Sequence, residues 1–379
     1  MKRAMVVVFF VLAGSWLSPG SATESIRIGA FLAVTGSASF LGEPQSKTLK
    51  LYVDKINADG GVLGRRLDLT TYDTQGDARQ ALTFVRRLIE EDKVDFLIGG
   101  TTTGETMAVA PIVEQSSIPL ISLAGGNVVV EPVKKWIFKT AGSDRMAVQR
   151  VYQDMKQRKF VTIGVLSGAG GFDQSCLVEA KALASKYGIA IVAEEKYATA
   201  DADMMPQLTR LSAANPDAVL SCGFGSPTVL SVRNYRQLRI KAPLYFTHGV
   251  GSQQFVDGAQ GAANGVRVPV AAILVWDQLP ADDVQGPVVR RYFEQYSKAY
   301  GQPPSAFGGF AYDALFMMVD AIKRARSSER AAVRDQIEQT AGFVGIDGIF
   351  NLTPMDHMGL TSSGFRMSEI QGNAWKLIP

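Results

Sequence analysis

The sequence predicts an α/β protein of two similar lobes, each built on a parallel sheet, and three observations predict it. Short apolar runs alternate with longer amphipathic ones from Ser25 onward, the pattern restarts after Lys139-Thr140-Ala141-Gly142, and the 379 residues, 46% of them hydrophobic, suffice for two cores. In the first half, Ile26, Ile28 and Ala30 alternate as in a strand. Leu49, Val53 and Ile56 then recur at helical spacing and stop at Asp59-Gly60-Gly61. Leu67, Leu69 and Thr71 return to period two, and Leu82, Val85, Leu88 and Ile89 mark a second helix before the buried-type strand 94–98. A third helix near 105–115 leads into the strand 119–122. Three such units in a row point to a parallel sheet with helices on both faces.

In the second half, helices at 144–158, 174–187, 204–213 and 227–239 each precede a strand, at 161–166, 189–194, 218–222 and 244–247. Residues beyond Ala271 read as mostly helical, over 284–300, 306–325 and 329–340, and 365–370 with 374–378 read as a hairpin around Gly372-Asn373.

Composition and the N-terminus narrow the class. The 39 basic and 36 acidic residues give a net charge of +3, and there are two cysteines and two histidines. That excludes a disulfide-stapled miniprotein, a zinc ribbon and an acidic disordered tail. No basic block or aromatic-basic stripe suggests a nucleic-acid partner. Met1-Lys2-Arg3, an uncharged apolar stretch over 4–17 and the small residues Gly20-Ser21-Ala22 have the build of a cleavable signal peptide over residues 1–22. The apolar stretch is short for a bilayer span, and no lipidated cysteine follows it. Removing Lys2 and Arg3 leaves 37 basic against 36 acidic residues, an exported and nearly neutral chain.

In parallel α/β sheets ligands bind beyond the carboxyl ends of the strands, and four loops stand there. Gly99-Gly100-Thr101-Thr102-Thr103-Gly104 joins a strand to a helix, with small residues and hydroxyls that suit a carboxylate at a helix N-terminus. It lacks the Gly-Lys-Ser/Thr ending of a nucleotide P-loop. Leu123-Ala124-Gly125-Gly126-Asn127 offers mainly backbone groups. Ser167-Gly168-Ala169-Gly170-Gly171-Phe172 would position an aromatic ring over a cleft; Asp173 stands where a dinucleotide fingerprint requires glycine. Thr247-His248-Gly249 puts one histidine at a strand end, whereas His357 falls in a turn-like stretch and reads as structural. Cys176 and Cys222 fall in one lobe and can pair in an oxidising compartment, but their spacing does not demand it, and a buried free thiol at Cys222 is the favoured reading. No metal cluster, cofactor motif or nucleophile elbow is present, so no enzyme is indicated.

Several segments resemble the periplasmic solute-binding proteins of branched-chain amino acid ABC transporters, the leucine/isoleucine/valine type. They are Leu32-Ala33-Val34-Thr35-Gly36, Ile56-Asn57-Ala58-Asp59-Gly60-Gly61-Val62-Leu63-Gly64, Tyr72-Asp73, Ile98-Gly99, Ile118-Pro119-Leu120-Ile121-Ser122, Phe138-Lys139-Thr140-Ala141-Gly142 and Tyr312-Asp313-Ala314. The resemblance implies the type I periplasmic binding protein fold, with two lobes closing on a cleft about three hinge crossovers near Gly142, Val270 and Leu352. Lobe 1 would then be residues 23–142 plus 271–352, and lobe 2 residues 143–270 plus 353–379.

The resemblance also implies roles for single residues. Thr102 and Thr103 match the loop that binds the ligand carboxylate. Ala124, Gly125 and Gly126 match a loop giving a carbonyl to the ligand ammonium and a hydroxyl donor, but Gly126 replaces the threonine that carries the hydroxyl. Phe172, Phe224 and Phe307 match aromatic pocket positions, and Leu41 takes a position that is often aromatic. His248 replaces the acidic residue that pairs with the α-ammonium of an amino acid. Losing a buried counter-charge costs about 3–5 kcal/mol, whereas an imidazole can donate to an oxygen. The expected ligand is therefore a small carboxylate with an aromatic or aliphatic body and no α-amino group. A branched-chain or other amino acid is the alternative, and a urea or amide a further one. The expected partner is an inner-membrane ABC permease served by a monomeric, free-standing periplasmic binder without cofactor or metal; a sensor presenting ligand to a separate receptor is the competing class.

Overall fold

A computed structural model describes residues 24–198 and 200–379, so the signal-peptide expectation over residues 1–22 lies outside the described residues. The first sheet is formed by β1 (Ile26–Leu32), β2 (Leu67–Asp73), β3 (Phe96–Gly99), β4 (Leu120–Ser122) and β5 (Ile137–Lys139), interleaved with α1 (Ser39–Ala58), α2 (Ala78–Glu90) and α3 (Thr103–Ser116). All its pairs are parallel, in the order β2-β1-β3-β4-β5. β3 and β4 are buried along their whole length, which is why they read as unbroken apolar runs.

After Ser143 the chain builds the second sheet. Its elements are α4 (Asp144–Gln157), β6 (Thr162–Ser167), α5 (Gly171–Ala184), β7 (Ala190–Lys196), α6 (Met205–Ala213), β8 (Ala218–Cys222), α7 (Ser226–Gln237), β9 (Leu244–Phe246), α8 (Gln253–Ala259) and β10 (Arg267–Ala271). The parallel part runs β7-β6-β8-β9-β10. Relative to chain order this repeats the first sheet, so each lobe has its switch point beside its own first strand. The chain then returns to the first lobe with α9 (Gly286–Tyr300), α10 (Ala306–Ala325), α11 (Arg330–Glu338) and the two-stranded ribbon β11 (Phe343–Val344) and β12 (Ile349–Phe350). α10 is buried on almost every face, in keeping with its apolar sequence, and shares one core with α1 and the first sheet. Finally β13 (Phe365–Gln371) pairs antiparallel with β10, and β14 (Ala374–Leu377) with β13, as the hairpin reading expected.

Three differences from the sequence reading have physical causes. β5 and β10, the last parallel strand of each sheet, carry no clear strand signal. β5 is three residues long, and β10 contains Pro269, a residue that ordinarily argues against a strand interior. The last crossing lies later than Leu352. Residues 351–360 hydrogen-bond to the first lobe, with the His357 carbonyl accepting from Lys139 N–H at 3.1 Å and His357 Nδ1 lying 2.9 Å from the Ile137 carbonyl. The chain therefore passes over at 361–364. Lastly, the expected free thiol at Cys222 is replaced by a Cys176–Cys222 disulfide with a Cα–Cα separation of 5.8 Å. Cys176 lies in α5, the helix that follows β6, and Cys222 ends β8, and β6 and β8 are neighbours only because the sheet reverses direction there. A spacing of 46 residues cannot show that.

The disulfide ties α5, which carries Phe172, to the strand whose following loop carries Phe224. Converting both cysteines to serine should lower the unfolding free energy by about 2–4 kcal/mol, the usual range for a disulfide, the upper end being the loop-closure value for a separation of 46 residues. Urea titration of the double variant would measure it, and an unchanged stability would contradict the assignment.

Candidate ligand-binding cleft

The cleft is assembled from the carboxyl ends of both sheets. On the first-lobe side, β3 runs into α3 through Thr101 and Thr102. Thr102 caps α3 with a reciprocal box: its hydroxyl accepts from Glu105 N–H at 3.2 Å, and Glu105 Oε2 accepts from Thr102 N–H at 2.8 Å. Burial pushes the Glu105 carboxyl up, while hydrogen bonds from Thr74 and Thr102 oppose the shift. Since the box consumes the N–H groups of Thr102 and Glu105, those of Thr103 and Gly104 remain as first-turn donors. The Thr103 hydroxyl accepts from Gly126 N–H at 3.1 Å and keeps its own proton to donate.

α1 reaches this floor because residue 42 is glycine: a Cβ there would stand 2.1 Å from the Ala33 carbonyl oxygen. That approach brings in Leu41 and, one turn later, Gln45. Gln45 is 1% exposed, and its Oε1 accepts from the Thr101 hydroxyl at 2.7 Å, which itself accepts from Ala33 N–H at 3.0 Å.

Opposite stand Phe172 in the first turn of α5, Phe224 after β8 and His248 after β9. The N-termini of α3 and α5 meet across the cleft, since a Cβ on Gly171 would lie 3.3 Å from the Gly104 nitrogen. Two positive helix ends brought together favour an anion. Asp173 answers part of this field for α5, accepting from Gly170 N–H at 3.0 Å; burial raises its carboxyl to about 6, against that hydrogen bond.

The rings interlock across the lobes. Phe172 meets Phe224 edge-on at 6.0 Å and His248 at 5.4 Å, and Phe40 meets Phe224 at 6.3 Å and Phe307 at 5.7 Å. A Cβ on Gly125 would lie 2.7 Å from His248 Nε2, so only glycine lets the imidazole close down on that loop.

The charges lie beneath this surface. Lys139 is fully buried and donates to the Gly126 carbonyl at 3.3 Å; burial brings its ammonium down to about 8, against the pull of Asp144. Burial raises Asp144 to about 6, opposed by hydrogen bonds and by Lys139. His248 is 5% exposed, and its Nδ1 has no hydrogen-bond partner among the described residues. Burial first and the Lys139 charge second push the imidazole down to about 3, with the Gly142 carbonyl opposing, so it is neutral at physiological pH.

An inner cavity of about 30 Å³ lies between the lobes. Eight of the ten residues expected at the site line it: Leu41, Thr102, Thr103, Gly125, Phe172, Phe224, His248 and Phe307. Ala124 and Gly126 do not. Ala124 is fully buried, and Gly126 is covered by Thr103, with its N–H and carbonyl already used by Thr103 and Lys139. The Gly125 carbonyl likewise accepts from Asp144 N–H at 3.0 Å. Gln45, Thr101, Leu123, Gly249 and Phe310 also line the cavity; Thr101, Leu123 and Gly249 belong to the loops singled out in the sequence without being named as site residues, and Gln45 and Phe310 were not anticipated. Helical spacing held a signal for two of them, since Gln45 stands four residues after Leu41 and Phe310 three after Phe307. None of the lining side chains carries a formal charge at neutral pH. Outside the cavity Arg145 bridges the lobes, 2.5 Å from Glu131 and 2.7 Å from Glu179.

Residues 25–373 match a family described as periplasmic binding protein. Among curated relatives, the leucine-, isoleucine-, valine-, threonine- and alanine-binding protein of Pseudomonas aeruginosa is 24% identical, covering 86% of this chain and 87% of its own length. A Leu/Ile/Val-binding protein homolog of Brucella abortus is 21% identical over 89% of this chain and 86% of its own. Among solved structures, an extracellular ligand-binding receptor from Rhodopseudomonas palustris HaA2 superposes with a TM-score of 0.87 at 27% identity, covering 93% of this chain and 99% of that one. The branched-chain amino acid transporter substrate binding protein of Streptococcus pneumoniae, in complex with isoleucine, gives 0.81 at 22% identity over 93% of this chain and 98% of that one.

The neutral imidazole has a measurable consequence. The unfolded chain protonates His248 near its ordinary value and the folded chain only near 3, so between those values the unfolded state binds the extra proton. This contribution to stability is complete above about pH 6.5 and is lost on acidification, by at most about 1.4 kcal/mol per pH unit. Buried carboxyls with raised values tilt the total the other way, so the comparison is with His248→Asn. Denaturant titrations from pH 7 to 5 should show the wild type losing its stability margin over the variant; parallel curves would contradict a buried neutral His248.

Proposed function

The chain belongs to the periplasmic binding protein family, and from that premise we propose that it captures a small carboxylate lacking an α-amino group and delivers it to an ABC importer in the inner membrane. The signal-like residues 1–22 fit export to the periplasm. The observation that carries the reading is His248: a neutral imidazole whose buried Nδ1 has no hydrogen-bond partner among the described residues, in a cavity that no described carboxylate lines. An α-ammonium brought there meets no anion, and the nearby carbonyls of Gly125 and Gly126 are engaged by Asp144 and Lys139. Leaving that charge unpaired in a closed cleft costs about 3–5 kcal/mol.

A carboxylate is served instead. Thr103 and Gly104 N–H groups, the Thr102 and Thr103 hydroxyls and the α3 dipole receive it, and each hydrogen bond to a charged oxygen contributes about 1.5–3 kcal/mol. Phe172, Phe224 and Phe307, with Leu41, flank an apolar body where it leaves the head-group cavity, each aromatic contact adding about 0.5–1.5 kcal/mol beyond burial. The acid docks on the first lobe, and closure brings Phe172, Phe224 and His248 over it and excludes water. Ligand favours the closed form only through its preference for that form. The closed surface is what a permease reads, and no bond is made or broken. Binding of a branched-chain amino acid is the second reading, and the amino acid-binding relatives favour it.

A charge swap at His248 separates the two. In His248→Glu, calorimetry should show phenylpropanoate binding weakened and phenylalanine binding gained, the ratio moving by at least about tenfold. An unchanged preference would overturn the assigned role of His248.

A further inference from the structure

We propose that the cleft takes an elongated acid with a second anionic or strongly accepting group at its far end, held in an outer chamber next to the inner cavity. The inference rests on the carboxylate reading and extends it.

Volume is the first observation. Ligand sites commonly enclose about 300–1,000 Å³, whereas the inner cavity offers about 30 Å³, room for little beyond a head group. A neighbouring chamber of about 580 Å³ lies between the same two lobes, bounded by 36–40 of the first and by α7, α8 and the turn after β9 of the second. The backbone at Gly249 borders both spaces.

The partition is the second observation. It consists of two phenylalanine rings, Phe40 from the first lobe and Phe224 from the second, 6.3 Å apart and both half-buried. Phe224 lines the inner cavity and Phe40 the outer chamber, and one of these rings must turn about its side-chain torsions to join the two chambers. An apolar body threading between them keeps contact with aromatic faces on both sides.

The chemistry of the outer walls is the third. Val229, Val250 and Phe255 give an apolar floor, and Ser37, Ser226 and Gln254 add neutral polar groups. Among the described residues, the exposed Arg233 is the one charged side chain lining the chamber, and no acidic residue lines it. One of its N–H groups is spent on the Gly258 carbonyl, leaving four of its five donors for an oxygen on the ligand. An ammonium tail would be repelled, and a purely apolar tail would leave the guanidinium unused.

The test is calorimetry of the mature protein with phenylpropanoate and its para-carboxy derivative, in the wild type, Arg233→Gln and Phe40→Ala. The distal carboxylate should strengthen wild-type binding by about tenfold. Arg233→Gln should remove most of that gain while leaving phenylpropanoate affinity unchanged. Phe40→Ala should weaken both acids, since both pass the partition. Equal or weaker binding of the para-carboxy acid by the wild type would overturn the inference, as would an equal loss of both acids in Arg233→Gln. Binding of neither acid would instead contradict the carboxylate reading itself, and this inference with it.

Discussion

Lys139 and His248 stand within each other's field in a cleft that closure removes from water, and most of the site's chemistry follows from that. The lysine is fully buried beneath the Gly125-Gly126 loop and is balanced by Asp144. Its charge and the lack of solvent both disfavour a second cation, so the imidazole above it is neutral. A ligand ammonium entering the same space meets the same two penalties. A ligand carboxylate meets the opposite: two helix N-termini, free backbone N–H groups and hydroxyls with protons to give. On the proposed reading, one electrostatic setting disfavours one end of an amino acid and favours the other.

The scaffold holds these groups in place. The loops after the strands of both sheets line one cleft, so the two halves meet carboxyl end to carboxyl end, and the N-termini of α3 and α5 come together there. The capping box at Thr102 fixes the donor loop, the Thr101–Gln45 pair ties α1 to it, and the disulfide holds α5 against β8. Arg145 sits just past the first crossing and binds Glu131 of one lobe and Glu179 of the other, so its guanidinium links the two lobes at the rim. The pair with half-exposed Glu131 contributes little by itself, whereas the two-pronged contact with buried Glu179 is the firmer one. They position the lobes, while burial of the rings supplies the larger share.

Where periodicity was long, the sequence was legible. α1, α2 and the run of βα units could be read from 26 to 122 because buried parallel strands and amphipathic helices have distinct patterns. The donor loop was legible for the same reason, lying at a strand-to-helix junction. β5 and β10 were not, being short and, in β10, interrupted by Pro269. The Cys176–Cys222 pair was hidden by topology, since two distant segments become neighbours only where the sheet reverses. Within the site, eight lining residues were readable from motif positions, but the expectation that Ala124 and Gly126 would face the cavity overlooked Thr103 lying over Gly126. Phe40 escaped notice because its significance is relational: a ring on one lobe matters only beside Phe224 on the other.

The most direct measurement is thermal unfolding of the ligand-stripped protein with matched pairs that differ only in the α-amino group: phenylpropanoate beside phenylalanine, and isocaproate beside leucine. A ligand at a hundred times its dissociation constant stabilises the folded state by about 2.7 kcal/mol, enough for a clear rise in Tm. The account predicts that at least one amine-free acid raises Tm while its amino acid partner does not. Stabilisation by leucine or phenylalanine, with no effect of the corresponding acids, would contradict it.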